Sequence, residues 1–336
     1  MSEAPFVSIM TPVYNGADFI AECVESVLKQ THTNYEYIIV NNCSTDGTLD
    51  ILNAYAKKDS RIIVHDNTTF LDVMANHNLG FRLISPNSKY VKVVSADDWI
   101  IPECLDRIME CAEAHPSVGV VGSYSIAGKK VVFDGLDFDR TVVNGHEACR
   151  DTLLGKYYAF GAPTSLLYRA DLVRDCEAFF PGKSPHADTS GVYQALERSD
   201  FGFVHQVLSY TRVHAQSQTS RSLKYGSLKH ALLADVVRFG PRYLTPEEFQ
   251  RVSTNAMNKY YSWLVPALIE HSFSKAFLEE QKAGLRAIGV ELSIPKLLKA
   301  AGMRGVEFIK TPALTVNRIT KMLNRRGKIE ARYYYD

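Results

Sequence analysis

Two adjacent aspartates, Asp97 and Asp98, are the clearest chemical signal in the sequence. They follow a β-branched run that ends at Val94, so they stand where a strand gives way to a loop. Carboxylate oxygens are the ligands that Mg²⁺ and Mn²⁺ prefer, and such a cation neutralises a diphosphate. The pair therefore predicts a metal site that uses Mn²⁺ or Mg²⁺. Capping of a helix that follows residues 100–102 is an open alternative for these carboxylates.

Three further residues offer groups for binding or proton transfer. Asp46 could accept hydrogen bonds from a base or a ribose, although its loop, residues 41–47, has the composition of an ordinary turn. Asp188 could be a general base, or it could be a solvated loop residue as most aspartates are. His214 could be a metal ligand or a structural imidazole in a turn. Each residue, taken alone, keeps both interpretations.

The first part of the chain alternates strand-like and helix-like patterns. Strands are predicted at residues 7–13, 37–40, 61–65, 90–94 and 118–121. Between them, apolar residues share helical faces at Phe19, Ile20, Cys23, Val24, Val27 and Leu28, and at Leu105, Ile108, Met109 and Ala112. This alternation predicts an α/β fold with a parallel sheet and covering helices. Ligands of such sheets bind beyond the carboxyl ends of the strands, so we expect segments 14–16, 41–47 and 95–99 to open on one edge.

The composition is that of a globular protein, with 336 residues of which 46% are hydrophobic and 22% charged. We expect a catalytic α/β domain in residues 1–222 and a mainly helical region in residues 223–336. The six cysteines have no C-x-x-C spacing, which favours reduced thiols. No signal-peptide pattern or membrane-spanning apolar stretch is present, so the expected location is the cytoplasm.

The basic charge of the chain lies in its tail. Residues 295–336 contain ten Lys and Arg against three Asp and Glu, a net of +7 within a total of +1. Ile319, Met322 and Leu323 can share a helical face beside basic residues, a pattern suited to an interfacial helix on anionic lipid. The tail therefore has two alternative interpretations. It could make peripheral contact with the inner face of a membrane, or it could be a packed or oligomer-forming helix. We expect no nucleic-acid partner.

An ordered set of segments between about residues 5 and 220 resembles the inverting glycosyltransferases of family 2. It comprises Pro12-Val13-Tyr14-Asn15-Gly16, Asn41-Asn42-Cys43-Ser44-Thr45-Asp46-Gly47, His77-Asn78-Leu79-Gly80, Ser95-Ala96-Asp97-Asp98, Gly161-Ala162-Pro163 with Arg169, His186-Ala187-Asp188, and Tyr210-x-Arg212-x-His214-x-x-Ser217. The family has the GT-A fold, a Rossmann-like nucleotide-binding sheet with covering helices, and the resemblance implies that fold here.

The resemblance also implies site residues. Asp188 takes the place of the catalytic base, and Asp97, Asp98 and His214 that of the metal ligands. The nucleotide-sugar contacts would come from Pro12, Tyr14, Asn15, Asp46, His77, Asn78, Ser95, Ala96 and Asp97. This sequence departs from the family pattern at Ser95, His77 and His186.

The implied activity is transfer of a sugar from a nucleotide-sugar donor, with a UDP-sugar as the best inference. The acceptor would be a hydroxyl of a glycan or of a lipid-linked molecule, in surface polysaccharide or glycoconjugate synthesis. A protein of the same fold that binds a nucleotide sugar without turnover is the alternative, because of the three departures.

Overall fold

The computed structural model describes residues 4–134, 136–182, 184, 186–214, 217 and 227–310. The chain divides into two compact units, residues 1–213 and residues 214–336. The boundary expected between residues 222 and 223 lies outside the described residues and stays a prediction.

The first unit begins with regular alternation of strands and helices. The elements are β1 (Val7–Val13), α1 (Ile20–Leu28), β2 (Tyr35–Asn41), α2 (Thr48–Ala56), β3 (Ile62–Asp66), α3 (Val73–Leu83), β4 (Tyr90–Val93), β5 (Trp99–Ile100) and α4 (Cys104–Ala114). The strands predicted in this part are all present, with ends that differ by one or two residues. The apolar faces predicted for α1 and α4 are buried at Ile20, Cys23, Val24, Val27, Leu105, Ile108, Met109 and Ala112.

The remainder of the first unit is less regular. It contains β6 (Val118–Ala127), β7 (Lys130–Val132), β8 (Val142–Val143), α5 (Gly145–Leu154), a 3₁₀ turn (Pro163–Ser165), β9 (Leu166–Arg169), α6 (Ala170–Arg174), α7 (Ala187–Ala195) and β10 (Asp200–Thr211).

The strands form one ten-stranded sheet in the order β3-β2-β1-β4-β9-β6-β10-β5, with β7 on β6 and β8 on β10. The first four strands pair in parallel, whereas β9 is antiparallel to both β4 and β6. The predicted α/β fold with covering helices is confirmed, and its parallel part, β3-β2-β1-β4, is extended by antiparallel pairings of β9. No helix crosses over directly before β9, which follows the 3₁₀ turn and enters the sheet from the carboxyl edge of β4.

Close packing fixes α3 on the sheet. A Cβ added at Gly80 would lie 2.0 Å from the Met10 sulfur, so a larger residue would force the Met10 side chain or α3 to shift. Each fully buried aliphatic side chain in this core contributes about 1.5–3 kcal/mol through burial. The sheet is therefore a rigid base for the loops at its edge.

The continuous part of the second unit that the structure describes, residues 227–310, is mainly helical, as predicted. Its described elements are α8 (Ser227–Tyr243), α9 (Pro246–Glu270), α10 (Lys275–Arg286) and α11 (Ile294–Lys310). A capping box between Thr245 and Glu248 starts α9, and the core of the unit includes Tyr260, Leu264 and Phe277.

Within the described part of the chain, no helix combines the length and the apolar character needed to cross a membrane. The predicted interfacial residues Ile319, Met322 and Leu323 lie outside the described residues.

Candidate active site

The loops that follow β1, β2 and β4 meet at the carboxyl edge of the sheet, as predicted. The Gly16 amide donates to the Thr48 hydroxyl over 2.9 Å, and the Thr45 amide donates to the Asn15 side-chain oxygen over 2.8 Å. On the other side of Gly16, an added Cβ would lie 3.8 Å from the Ala96 Cβ. Hydrogen bonds and contact thus join the three predicted segments into one surface.

Asp46 holds its own loop in place. Its carboxylate accepts from the Ala17 amide at 3.0 Å and from the Thr48 hydroxyl at 2.5 Å. Burial by itself would raise the pKa of Asp46, but the hydrogen bonds from Thr48 and Ala17 outweigh it and lower that pKa. Asp46 is exposed, so it is an ionised acceptor at the edge. Its contact with a nucleotide stays a prediction.

Two exposed aromatic rings stand beside this loop. Tyr14, 48% exposed, packs edge to face against Phe70, 61% exposed, with ring centroids 4.9 Å apart. Flat aromatic faces of this kind can stack on a nucleobase. Pro12 lies in β1 in register with Val40 and is partly exposed. The sequence analysis missed Phe70, although a lone aromatic residue in a polar loop was an available signal.

Asp98 is a buried carboxyl, 4% exposed, with both oxygens engaged. One accepts from the Thr164 hydroxyl at 2.6 Å and the other from the Arg212 amide at 3.0 Å. Burial, and then the charge of Asp97, raise the pKa of Asp98 well above its usual value. The helix-capping alternative was wrong, because β5 intervenes and α4 begins after Glu103.

Thr164 and Lys92 support the acidic loop, which we define as residues 95–98. The Thr164 hydroxyl accepts from the Ser95 amide at 3.1 Å and lies 3.2 Å from the Ser95 hydroxyl. The fully buried Lys92 ammonium donates to the carbonyls of Thr164 at 2.6 Å and Leu166 at 3.0 Å. Burial lowers the pKa of Lys92. Sequence analysis missed both residues, although a lysine inside an apolar strand was a visible signal for Lys92.

Arg212 ties the end of β10 to the same loop. Its guanidinium donates to the Asp97 carbonyl at 3.0 Å, pairs with Glu22 of α1, and lies 5.0 Å from the centroid of the Phe19 ring. The Asp97 residue is partly exposed at the edge. The acidic loop is therefore held both from the 3₁₀ turn before β9 and from the residue that follows β10.

This arrangement fits a divalent cation with few protein ligands. No group of three or more His, Cys, Asp or Glu side chains comes together among the described residues. Mg²⁺ usually keeps several waters and binds one or two carboxylates together with substrate phosphates. The partly exposed Asp97 suits that mode. Ligation by Asp98 and by His214, the first residue of the second unit, stays a prediction.

Asp188 lies in the first turn of α7. Burial of its carboxyl raises the pKa of Asp188 to about 6, although the residue as a whole is partly exposed. The preceding His186 has its pKa lowered to about 4 by burial. The His186 Nε2 and the Tyr168 hydroxyl are buried without a hydrogen-bond partner among the described residues. A desolvated carboxyl that titrates near neutral pH has the properties of a general base.

One segment connects α7 with the acidic loop. The Thr189 hydroxyl, next to Asp188, lies 3.2 Å from the Tyr158 hydroxyl, which donates to the Gly161 carbonyl at 3.3 Å. Three residues beyond Gly161, Thr164 binds Asp98. The segment 158–164 therefore joins the two predicted carboxylate regions.

The predicted donor contacts His77 and Asn78 already have partners within the chain. The His77 Nδ1 lies 2.8 Å from the Val73 carbonyl, and burial lowers the pKa of His77, so its imidazole is neutral at pH 7. Asn78 uses its amide nitrogen and oxygen on the backbone of Phe180. Contact of either residue with a donor stays a prediction.

Comparison with known proteins identifies relatives along the first half of the chain. The model of the family described as "Glycosyl transferase family 2" matches residues 8–176, half of the chain. The chain is 32% identical over 157 residues to TuaG of Bacillus subtilis strain 168, which is described as a teichuronic acid biosynthesis glycosyltransferase. This match covers 45% of the present chain and 60% of TuaG, so the chain spans less than two thirds of that relative.

Solved structures resemble the chain over more of its length. S. aureus TarS in complex with UDP-GlcNAc gives a TM-score of 0.62 at 18% identity, covering 85% of this chain and 80% of that chain. The mannosyltransferase PcManGT from Pyrobaculum calidifontis, in complex with GDP-Man and Mn²⁺, gives 0.57 at 16% identity, covering 96% and 84%. At these identities the likeness shows a shared fold.

Proposed function

The chain belongs to glycosyltransferase family 2 and has the GT-A fold, and on this basis we propose that it is an inverting, metal-dependent glycosyltransferase. The observation that carries the proposal is the connection between two kinds of carboxyl group. The acidic loop with Asp97 lies at the carboxyl edge of the sheet, and segment 158–164 links Asp98 to Thr189, the neighbour of Asp188, whose pKa is raised.

In the proposed reaction, Asp188 takes the proton from an acceptor hydroxyl while that oxygen attacks the anomeric carbon. Attack comes from the face opposite the departing nucleoside diphosphate, so the anomeric configuration inverts. A positioned base typically contributes about 10²–10⁴-fold. A pKa of about 6 leaves Asp188 mostly ionised at pH 7, the form that accepts a proton.

Asp97 would hold Mn²⁺ or Mg²⁺ together with the donor diphosphate, and Asp98 and His214 are the further proposed ligands. A bound divalent cation supplies charge neutralisation for the diphosphate leaving group. Thr164 and Arg212 keep the acidic loop in one position, so little reorganisation is needed when the donor binds.

A UDP-sugar is the proposed donor and a glycan or lipid-linked hydroxyl the proposed acceptor, in surface polysaccharide or glycoconjugate synthesis. The complex of TarS with UDP-GlcNAc and the name of TuaG support this direction. Tyr14, Asn15 and Asp46 would surround the base and ribose, with Pro12, Ser95 and Ala96 beside them. The proposed location is the cytoplasm, with the basic tail in contact with an anionic inner membrane surface.

Product analysis with a panel of UDP- and GDP-sugars tests the proposal. We expect free nucleoside diphosphate and a glycoside of inverted anomeric configuration. Release of pyrophosphate would instead indicate nucleotidyl transfer. Tight donor binding without turnover on any acceptor would favour the alternative, a nucleotide-sugar-binding protein that has lost catalysis.

A further inference from the structure

We propose that Asn78 is a positioning residue for Asp188, acting through the Phe179–Phe180 segment on which helix α7 packs. The inference rests on the proposed function, because that function gives Asp188 its role as the base. It assigns Asn78 to the acceptor side of the reaction, whereas the family resemblance places it among the donor contacts.

The first step is the bond between α3 and this segment. The Asn78 amide nitrogen donates to the Phe180 carbonyl at 2.8 Å, and the Phe180 amide donates to the Asn78 side-chain oxygen at 3.0 Å. Asn78 is 8% exposed, so both bonds are shielded from water. Removing the Asn78 side chain would leave the Phe180 amide and carbonyl without these partners, which destabilises the position of the segment.

The second step is the packing of α7 on the same segment. A Cβ added at Gly191 would lie 2.7 Å from the Phe180 ring and 2.8 Å from the Phe179 carbonyl oxygen. Gly191 is three residues after Asp188, so it lies one helical turn away. The turn of α7 that follows the Asp188 turn therefore packs closely on residues 179–180.

The third step is the nature of the remaining contacts. The Phe179 ring packs edge to face on Tyr168 at 5.0 Å and on Phe81 at 5.2 Å, and Phe180 packs on Phe81 at 5.0 Å. Edge-to-face packing holds the two rings, and the paired hydrogen bonds to Asn78 fix the backbone of residue 180 itself. Asn78 thus sets where the segment lies, and the segment sets where α7 lies.

The pH dependence of transfer reports on this chain of contacts. The groups that act on or near the Asp188 carboxyl are the Tyr168 hydroxyl from β9 and the backbone amides of Thr189 and Asp188. Loosening α7 would admit water to the carboxyl. Its pKa would then fall from about 6 toward the ordinary aspartate value of about 3.9. A defect in donor binding would not move this pKa.

The test is single-turnover transfer by Asn78→Ala and Asn78→Asp across pH, with donor affinity measured in parallel. We expect a rate at least about tenfold lower, since misplacement of a catalytic group by about 1 Å costs up to about 10²-fold. The acid limb should move to lower pH, and UDP-sugar affinity should stay unchanged. Asn87→Ala, at an exposed loop asparagine, is the matched control and should behave as wild type.

Gly191→Ala tests the same contact from the helix side. It replaces the Asn78 variants in the experiment if those variants fold poorly. It should lower the rate and shift the acid limb without affecting donor affinity. Gly302→Ala, at a helical glycine whose added Cβ meets nothing within 4 Å, is its control.

Two results would overturn the inference. Weaker UDP-sugar binding with an unmoved acid limb would place Asn78 on the donor, and wild-type rates in both sets of variants would remove the positioning role. Asp188→Asn separates this from failure of the proposed function. If Asp188→Asn transfers normally, the assigned base is wrong, whereas if it is inactive and Asn78→Ala is normal, only the positioning inference fails.

Discussion

The two carboxylate regions of the site are held by different kinds of partner. In the acidic loop, both oxygens of Asp98 accept hydrogen bonds from residues 66 and 114 positions away, and Arg212 also binds the Asp97 carbonyl. In α7, the Asp188 carboxyl accepts hydrogen bonds from backbone amides of its own helix turn, those of Thr189 and of Asp188 itself.

Burial raises the pKa of both carboxyls, so the regions differ in how the group is positioned and not in the direction of the pKa shift. Long-range hydrogen bonds to Asp98 tie the acidic loop to distant segments of the fold. The position of Asp188 depends instead on where α7 lies.

Metal removal has the largest expected effect and tests the donor side of the comparison. Chelation with EDTA should lower transfer by at least about 10²-fold, and Mn²⁺ or Mg²⁺ should restore it. Asp97→Ala and Asp98→Ala should each give a loss of similar size. Full activity in thoroughly chelated enzyme would show that the acidic loop has a structural role and does not bind a catalytic metal.

Thr164 tests whether hydrogen bonds rather than packing hold the acidic loop. Thr164→Val keeps the shape but removes the bonds to Asp98 and Ser95, so transfer should fall about tenfold, as for loss of a bond to a charged group. Thr164→Ser keeps the hydroxyl and is the control. Equal rates for the valine and serine variants would show that packing suffices.

Asp46 has a smaller expected effect, confined to the donor. Asp46→Ala should weaken UDP binding about two- to tenfold, the range for one lost hydrogen bond, with the melting temperature little changed. Isothermal titration calorimetry measures the UDP affinity of wild type and of Asp46→Ala directly. Unchanged UDP affinity would leave Asp46 with only its bonds to Ala17 and Thr48.

The stability of Asp188→Asn sharpens the comparison from the other side. The pKa of Asp188 is about 6 in the folded state and about 3.9 in the unfolded state. The ionised carboxyl therefore lowers the free energy of unfolding progressively as pH rises through this interval. The asparagine variant should gain about 1 kcal/mol relative to wild type above pH 6, after discounting for partial exposure, and nothing near pH 4. Urea unfolding at both pH values measures this, and a loss at neutral pH would mean that the carboxylate stabilises the fold.

Sequence reasoning succeeded where function is encoded next to strands. The loops at Tyr14, Asp46 and Asp97 directly follow strands with strong apolar patterns, so their common edge follows from the parallel order of β1, β2 and β4. Each of these loops is adjacent in sequence to the strand that positions it, so the strand's place in the sheet determines where the loop lies.

It failed where the partners are far apart along the chain. Thr164 and Arg212 bind Asp98 across separations of 66 and 114 residues, and no local pattern selects them. The antiparallel β9 is only four residues long, too short to show a period. The pairing of Asn78 with Phe180 over 102 residues was hidden for the same reason.

The most direct test of the central claim is single-turnover transfer by wild type and Asp188→Asn from about pH 5 to about pH 8, with UDP-sugar affinity measured on both. Wild type should lose rate on acidification with a limb near the Asp188 pKa of about 6. The variant should be at least about 10²-fold slower, lack that limb and bind donor normally. Transfer within a few-fold of wild type, or a limb that persists in the variant, would contradict the assignment of Asp188 as the base.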